Sequence, residues 1–188
     1  IHSKKVTGDV FVPRYVTFNG SQIRITEIKS FAFSTIKFNS LVFPEDSEVE
    51  SFGSNLFYLG AIKKLQIPIK LKKIERGCFF CVDKLDDIEI SPKNKNFSYI
   101  ENKYLVGKSS DNSDIFDVLH YAKFDIEDAL IPLQIKIING SFEKHLQLKS
   151  VIFPKDSKVK RFEDDLFSYS SISKLVLPAT LEYIGDAF

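Results

Sequence analysis

The sequence contains no tryptophan and no methionine, and it carries almost no net charge. Its 26 basic and 25 acidic residues are mixed along the 188-residue chain, whereas nucleic-acid binding requires clustered lysine and arginine. We therefore expect no nucleic-acid partner. The missing methionine includes the initiator, so we expect the sequence to be a piece of a longer protein. No apolar run approaches the ~18 residues of a membrane-spanning helix, so no direct membrane insertion is expected.

Proline is scarce, but its spacing reveals the organisation of the chain. Five of the seven prolines close the phrase apolar-x-x-apolar-x-apolar-Pro, namely Pro44, Pro68, Pro132, Pro154 and Pro178. Adjacent prolines lie 22 or 24 residues apart, except where insertions follow Pro13 and Pro92. A period in the low twenties is typical of a solenoid, in which one supersecondary unit is stacked many times. We predict about six to seven such units.

Phenylalanine recurs in the second half of each unit, as Phe33, Phe57, Phe79, Phe142, Phe167 and Phe188. Eighteen Phe without any Trp indicate that one bulky residue fills a repeating core position. A longer form, P-x-D-S-x-V-x-x-F, begins at Pro44 and again at Pro154, 110 residues later. A block of about two units therefore occurs twice, with an insertion between the copies.

The apolar spacing predicts the local structure. The last two apolar residues of each phrase are two apart, as in a strand with one buried face, and the proline ends the strand because it cannot donate to the ladder. Stacked units would form a parallel sheet on one side, with helical or 3-10 turns around the phenylalanines on the other. The predicted buried ladder is Val10/Val12, Leu41/Phe43, Leu65/Ile67, Ile88/Ile90, Ala129/Ile131, Val151/Phe153 and Leu175/Leu177. The second predicted row is Ile25/Ile28, Val49/Phe52, Leu71/Ile74, Ile135/Ile138, Val159/Phe162 and Leu181/Ile184.

The segment 93–125 interrupts the repeats. Residues 104–108 and 115–122 are strand-like, and the turn-rich residues 109–114 lie between them, so we predict an inserted β-hairpin. The acidic turn lacks the Gly and the closing Glu of an EF-hand, which favours a solvated turn over a calcium loop. We expect one domain over 1–188, with an N-terminal repeat at 1–33, repeats at 34–92, and further repeats at 126–188 that are truncated at the C-terminus.

The candidate chemistry is sparse. Cys78 and Cys81 form a C-x-x-C, which is compatible with a redox pair, with half a zinc site or with packing in a buried turn. A zinc site would need two more ligands and a redox site a βαβ context, so we predict packed thiols. No P-loop, H-E-x-x-H or G-x-S-x-G motif occurs, and His145 occupies a turn position of the repeat. We therefore predict no enzyme, no metal site and no cofactor. Sequons at Asn19, Asn96 and Asn139 would suit a secreted chain.

The repeating unit carries a resemblance to a known family. The last unit reads Leu-Val-Leu-Pro178-Ala-Thr-Leu-Glu-Tyr-Ile-Gly-Asp-Ala-Phe188. With the opening segment 8–20 and the insertion 94–105, it resembles the BspA-type leucine-rich repeat. The units I-N-G-S-F and I-G-D-A-F each lack one residue of the family pattern, and the usual cysteine three residues after the Phe is missing.

The resemblance implies an α/β repeat fold, a right-handed leucine-rich-repeat solenoid without shared catalytic residues. It also implies a surface-exposed or secreted protein of bacteria or single-celled parasites that acts in adhesion and host-molecule binding. The alternative is an intracellular, cytoplasmic leucine-rich-repeat scaffold for protein–protein interaction.

One residue between the two buried positions of each strand must point outward, because strand side chains alternate. These residues are Phe11, Val42, Gln66, Glu89, Leu130, Ile152 and Val176. The next outward column is polar: Asp9, Ser40, Lys64, Asp87, Asp128, Ser150 and Lys174. An apolar stripe with a polar rim is typical of an interaction site, although strand propensity alone also favours such residues.

The five apolar members of the stripe are the predicted partner-binding residues: Phe11, Val42, Leu130, Ile152 and Val176. Gln66 and Glu89 interrupt the stripe, so its longest continuous run comprises the last three. The predicted partner is a protein, a host surface molecule or a second copy of the chain.

Overall fold

The computed structural model describes residues 8–82 and 84–186. Phe188, the last phenylalanine of the repeating series, lies outside these residues. The chain divides into two compact units, Ile1–Asn96 (unit 1) and Phe97–Phe188 (unit 2). Every regular element in the described residues is a β-strand.

Unit 1 is built from short strands that recur once per repeat. The strands are β1 Asp9–Phe11, β2 Tyr15–Phe18, β3 Ser21–Arg24, β4 Glu27–Ile28, β5 Ser40–Val42, β6 Ser51–Phe52, β7 Lys64–Ile67, β8 Lys73–Ile74 and β9 Asp87–Ile90. Two parallel sheets have the orders β1-β5-β7-β9 and β4-β6-β8, and β2 and β3 form an antiparallel hairpin.

The register of the first sheet matches the repeat. Val10 pairs with Leu41, Leu41 with Leu65, and Leu65 with Ile88. Equivalent positions therefore stack directly, as the proline spacing predicts.

Unit 2 repeats this arrangement around the insertion. Its strands are β10 Phe97–Ile100, β11 Tyr104–Gly107, β12 Val118–Ala122, β13 Asp128–Leu130, β14 Ile137–Ile138, β15 Ser150–Ile152, β16 Arg161–Phe162, β17 Lys174–Leu175 and β18 Tyr183–Ile184. One sheet has the order β13-β15-β17 and the other β10-β11-β12-β14-β16-β18. The predicted hairpin is present as the antiparallel pair β11–β12, and β10 adds a strand that the sequence did not reveal.

The insertion joins the stack through its last strand. Val118 and Leu119 of β12 pair in parallel with Ile137 and Ile138 of β14. The hairpin thus supplies the strand against which the next repeat is laid.

The prediction of one parallel sheet per solenoid was incomplete. The second apolar row also forms strands, so each unit contains two parallel stacks. Ile28, Phe52 and Ile74 are buried on β4, β6 and β8, each of which is only two residues long. A strand this short carries no alternation signal, and it forms because the neighbouring repeat supplies the hydrogen-bonding partner.

The prediction of helical or 3-10 turns was wrong. The phenylalanine segments are hydrogen-bonded turns in which N–H groups alternate between two directions. The N–H of Ala32 donates to Lys29 O in the same turn at 3.2 Å, whereas that of Phe33 donates to Leu56 O of the next repeat at 3.0 Å. A helix would direct all these N–H groups along its own axis, leaving none for the neighbour.

Residues in the left-handed backbone conformation lie at both ends of these turns. Phe31 and Thr35 have φ of 61° and 60°, and a residue with positive φ interrupts any right-handed helix. The same four-residue spacing recurs in the other turns at Asn55/Leu59, Gly77/Cys81, Gly140/Lys144 and Asp165/Tyr169. The described chain is accordingly an all-β repeat protein and not an α/β one.

The phenylalanine series forms stacked columns inside each unit. The rings of Phe33 and Phe57 lie 6.0 Å apart with an interplanar angle of 12°, and those of Phe57 and Phe79 lie 6.0 Å apart. In unit 2, Phe142 and Phe167 stack at 5.8 Å. The prediction of one bulky residue in a recurrent core position is confirmed.

Most residues of the two predicted rows are buried or half-buried. The exceptions are Leu177 and Ile184, which are 45% and 44% exposed. They belong to the last repeat, and β17 and β18 are outermost strands of their sheets within the described residues. No further described strand packs over them.

We expect Phe57→Ala to lower the free energy of unfolding by about 3–5 kcal/mol, because it empties the centre of the ring column. Phe57 is 1% exposed and contacts a ring on either side. Urea unfolding followed by circular dichroism measures this change. As a control, Phe18→Ala at a site 63% exposed is expected to change stability by no more than about 0.5 kcal/mol. Equal effects of the two substitutions would contradict the buried column.

Candidate functional site

The outward side of sheet β13-β15-β17 in unit 2 presents three apolar side chains, and we call it the outer face. Leu130, Ile152 and Val176 are 57%, 48% and 70% exposed. Leu130 pairs with Ile152 across β13 and β15, and Val176 directly follows β17. Ala129 and Val151 point inward and are buried, so alternation along the strands fixes the outward direction of their neighbours.

A polar column borders the outer face at the start of the strands. Asp128 pairs with Ser150, and Ser150 pairs with Lys174. The Ser150 hydroxyl donates a hydrogen bond of 2.5 Å to Asp128 Oδ1. The polar residues predicted beside the stripe are therefore present here, and one side-chain hydrogen bond joins β13 and β15.

An open groove of about 520 Å³ lies where the chain leaves β15 and β17. Its apolar lining comes mainly from Ile152, Phe153, Pro154, Val176 and Pro178. The charged residues of its lining are Lys155 and Lys174, neither of which forms an ion pair with a residue that the structure describes. The groove thus combines an apolar floor with unpaired positive charge.

The other predicted stripe residues lie in unit 1, on the separate sheet β1-β5-β7-β9. Phe11 is 59% exposed and Val42 is half-buried. Next to Val42, the Gln66 side chain accepts a hydrogen bond of 2.7 Å from the Phe43 N–H, and Glu89 is exposed. The seven outward residues therefore belong to two sheets, not one, and a role in partner binding remains a prediction for all five apolar ones.

The buried histidine and cysteine side chains serve packing. His145 is 4% exposed, and its ring nitrogens lie 3.0 Å from Glu143 O and 3.1 Å from Ala122 O. Burial holds the pKa of His145 below its ordinary value, although the carbonyl contacts oppose this shift. Burial also raises the pKa of the Cys78 thiol well above its ordinary value, which suppresses the nucleophilic thiolate.

Asp117 is a buried carboxylate that the sequence did not single out. It accepts hydrogen bonds of 2.9 Å from both the N–H and the hydroxyl of Ser109, and 3.1 Å from Lys136 Nζ. Burial disfavours its charged form, but these hydrogen bonds together hold the pKa of Asp117 below its ordinary value. The carboxylate closes the turn 109–114 from inside and is therefore committed to structure.

Within residues 8–82 and 84–186, no cluster of three or more histidine, cysteine or acidic side chains has the arrangement of a metal site. The same residues contain no helix long and apolar enough to cross a membrane.

The three sequons differ in their surroundings. Asn19 is exposed in the turn between β2 and β3. The Asn96 side chain donates to Leu71 O at 2.9 Å, and that of Asn139 lies 3.5 Å from His120 Nδ1.

Comparison with known proteins identifies the class to which this geometry belongs. A leucine-rich repeat protein from Eubacterium ventriosum matches 86% of this chain with a TM-score of 0.73 and 22% identity. The chain spans only 42% of the length of that protein. The pneumococcal vaccine antigen PcpA matches 98% of this chain and 70% of its own length, with a TM-score of 0.53 and 14% identity. No curated protein matches the sequence significantly.

The stacked parallel strands and the shared fold define a leucine-rich-repeat solenoid of the right-handed type. The sequence model described as the BspA type leucine rich repeat region matches six copies over residues 14–117 and 113–188. The chain therefore belongs to the BspA-type leucine-rich-repeat family, as the resemblance of its repeats predicts.

We expect His120 to make the fold acid-sensitive. Its ring packs against Phe97 at 5.6 Å, and burial lowers its pKa from 6.5 to about 4. Well above pH 6.5 the ring is neutral in both the folded and the unfolded chain, so it contributes no pH dependence there. Between pH 6.5 and 4 the unfolded chain binds the proton first, and the fold loses at most about 3 kcal/mol through this residue.

The measurement is the free energy of unfolding of wild type and His120→Gln between pH 7.5 and 4. We expect the wild type to lose more stability than the variant as the pH falls, since glutamine does not titrate. Contributions of His145 and the carboxylates cancel in this difference. Parallel curves for the two proteins would contradict the lowered pKa of His120.

Proposed function

We propose that the chain is a non-enzymatic binding module of a surface-exposed or secreted protein that recognises a protein partner through the outer face of unit 2. The observation that carries this proposal is the exposed apolar run of Leu130, Ile152 and Val176 on neighbouring strands, next to a polar column. Such a patch is typical of an interaction surface, whose centre is apolar and whose rim is polar.

The solenoid is well suited to present this patch. The residues behind the outer face are packed into a continuous core that includes Ala129, Val151 and Phe162. A patch on a rigid sheet loses little conformational freedom on binding, so more of its buried apolar area contributes to affinity. Burial of such area is worth about 25 cal/mol per Å² before the costs of association.

Family membership and fold support the proposed location and role. The PcpA protein, which shares the fold, is described as a pneumococcal vaccine antigen, a description that suits a protein accessible from outside the cell. Adhesion is the activity that we propose for such a location. The sequestered His145 and Cys78 support a binding role over a catalytic one.

The first test uses intact cultured epithelial cells as the binding probe. We expect Ile152→Asp to lower binding of the fluorescently labelled chain by at least tenfold, because a carboxylate at the centre of the patch removes apolar contact area and must be desolvated on binding. Flow cytometry measures the bound fraction. The stability of the variant is expected to change by no more than about 0.5 kcal/mol, since the residue is on the surface.

Ile23→Asp is the matched control. Ile23 is 46% exposed on a strand, close to the 48% of Ile152, but it lies on the hairpin of unit 1. Its replacement is expected to leave binding unchanged. Equal binding by the wild type and Ile152→Asp would exclude the outer face as the site.

The location of the protein is tested by treating intact producing cells with a labelling reagent that does not cross membranes. A chain that becomes labelled only after the cells are lysed would favour the intracellular scaffold.

A further inference from the structure

The internal duplication gives the two units grooves that share part of their lining, but the shared positions differ in chemistry. The groove of unit 1, of about 250 Å³, is lined by Glu45 and Gln66. Residues 110 positions later line the groove of unit 2, where Lys155 replaces Glu45 and Val176 replaces Gln66. The same scaffold thus carries an acidic, polar groove and a basic, apolar one.

The glutamine-to-valine difference changes the hydrogen bonding of the backbone. At the position equivalent to Phe43 in two other repeats, the backbone N–H donates to the next strand. The N–H of Ile131, for example, donates to Ile152 O at 3.0 Å. In unit 1 the corresponding N–H of Phe43 donates to the Gln66 side chain. Valine has no such acceptor, and the N–H of Phe153 donates no hydrogen bond to any residue that the structure describes. The backbone N–H of Phe153, a residue that lines the unit 2 groove, is therefore left without an acceptor among the described residues.

The charged residues that line the two grooves differ. In unit 1 the lining includes Glu45 and Glu89 together with Lys93. In unit 2 the charged lining is Lys155 and Lys174 alone. The neighbouring carboxylate of Asp128 lies on β13, where it accepts the hydrogen bond from Ser150.

We propose that the unit 2 groove binds an extended peptide segment of a partner protein, in which an apolar side chain is flanked by carboxylates. An extended backbone supplies the carbonyl that the Phe153 N–H requires. The apolar side chain covers Ile152 and Val176, and the carboxylates pair with Lys155 and Lys174. Charge complementarity thus selects an acidic segment over a basic one. The inference rests on the proposed function, and it names the chemistry of the partner.

Three labelled peptides test this proposal by fluorescence polarisation. The probe contains Glu-Thr-Leu-Thr-Glu between glycines, so that leucine and both glutamates share one face of an extended chain. The second peptide carries lysine in place of glutamate, and the third carries serine in place of leucine. We expect the first peptide to bind at least tenfold more tightly than the other two, and its affinity to fall as salt is raised.

Two substitutions convert the unit 2 groove to the chemistry of unit 1. Val176→Gln supplies the side-chain acceptor found at Gln66, and Lys155→Glu supplies the charge found at Glu45. Each is expected to weaken binding of the acidic peptide at least tenfold without loss of folding, because unit 1 accommodates these residues. Lys93→Glu, the same charge reversal in the unit 1 groove, is the control and is expected to leave binding unchanged.

The proposal is overturned if the acidic peptide does not bind, if all three peptides bind equally, or if both conversions leave its affinity unchanged. If Ile152→Asp loses cell binding but the acidic peptide does not bind, the outer face remains the binding site. Only the proposed peptide chemistry is then rejected. Peptide binding with the expected specificity, but unchanged cell binding by Ile152→Asp, would instead reject the adhesion surface.

Discussion

Each repeat of this protein depends on its neighbour for both burial and hydrogen bonding. A two-residue strand such as β6 has no stability alone, and it exists because β4 and β8 pair with it on either side. The ring of Phe57 is likewise enclosed by the rings of the adjacent repeats. Stability in such a stack is a sum of nearest-neighbour interfaces, which explains why exposure rises at the outermost described strands.

The same dependence sets the backbone of the turns. Because the N–H groups of Phe33 and Thr35 donate to the next repeat, the turn cannot close into a helix. The chain accepts left-handed conformations at residues other than glycine, such as Leu59 with φ of 52°. These conformations cost about 1–2 kcal/mol per residue, and the hydrogen bonds between repeats offset that cost.

Because the buried residues and the hydrogen bonds between repeats stabilise the scaffold, its outward residues can differ between repeats. Core positions repeat almost unchanged between the two units, whereas Gln66 and Val176 occupy equivalent outward positions with different chemistry. This separation allows one fold to carry differing recognition surfaces. For the same reason the binding chemistry depends on the groove and not on the fold.

The sequence alone determined the repeat, the buried rows and the outward direction of Leu130 and Ile152, because the period of the apolar residues directly reflects stacking and strand alternation. It also predicted the hairpin, from two strand-like segments on either side of a turn-rich one. It did not reveal the second sheet or the absence of helices, since a two-residue strand and a left-handed turn leave no periodic signal. Only the tertiary structure showed that Asp117 closes a turn and that the N–H of Phe153 lacks an acceptor, because both depend on residues brought together from distant parts of the chain.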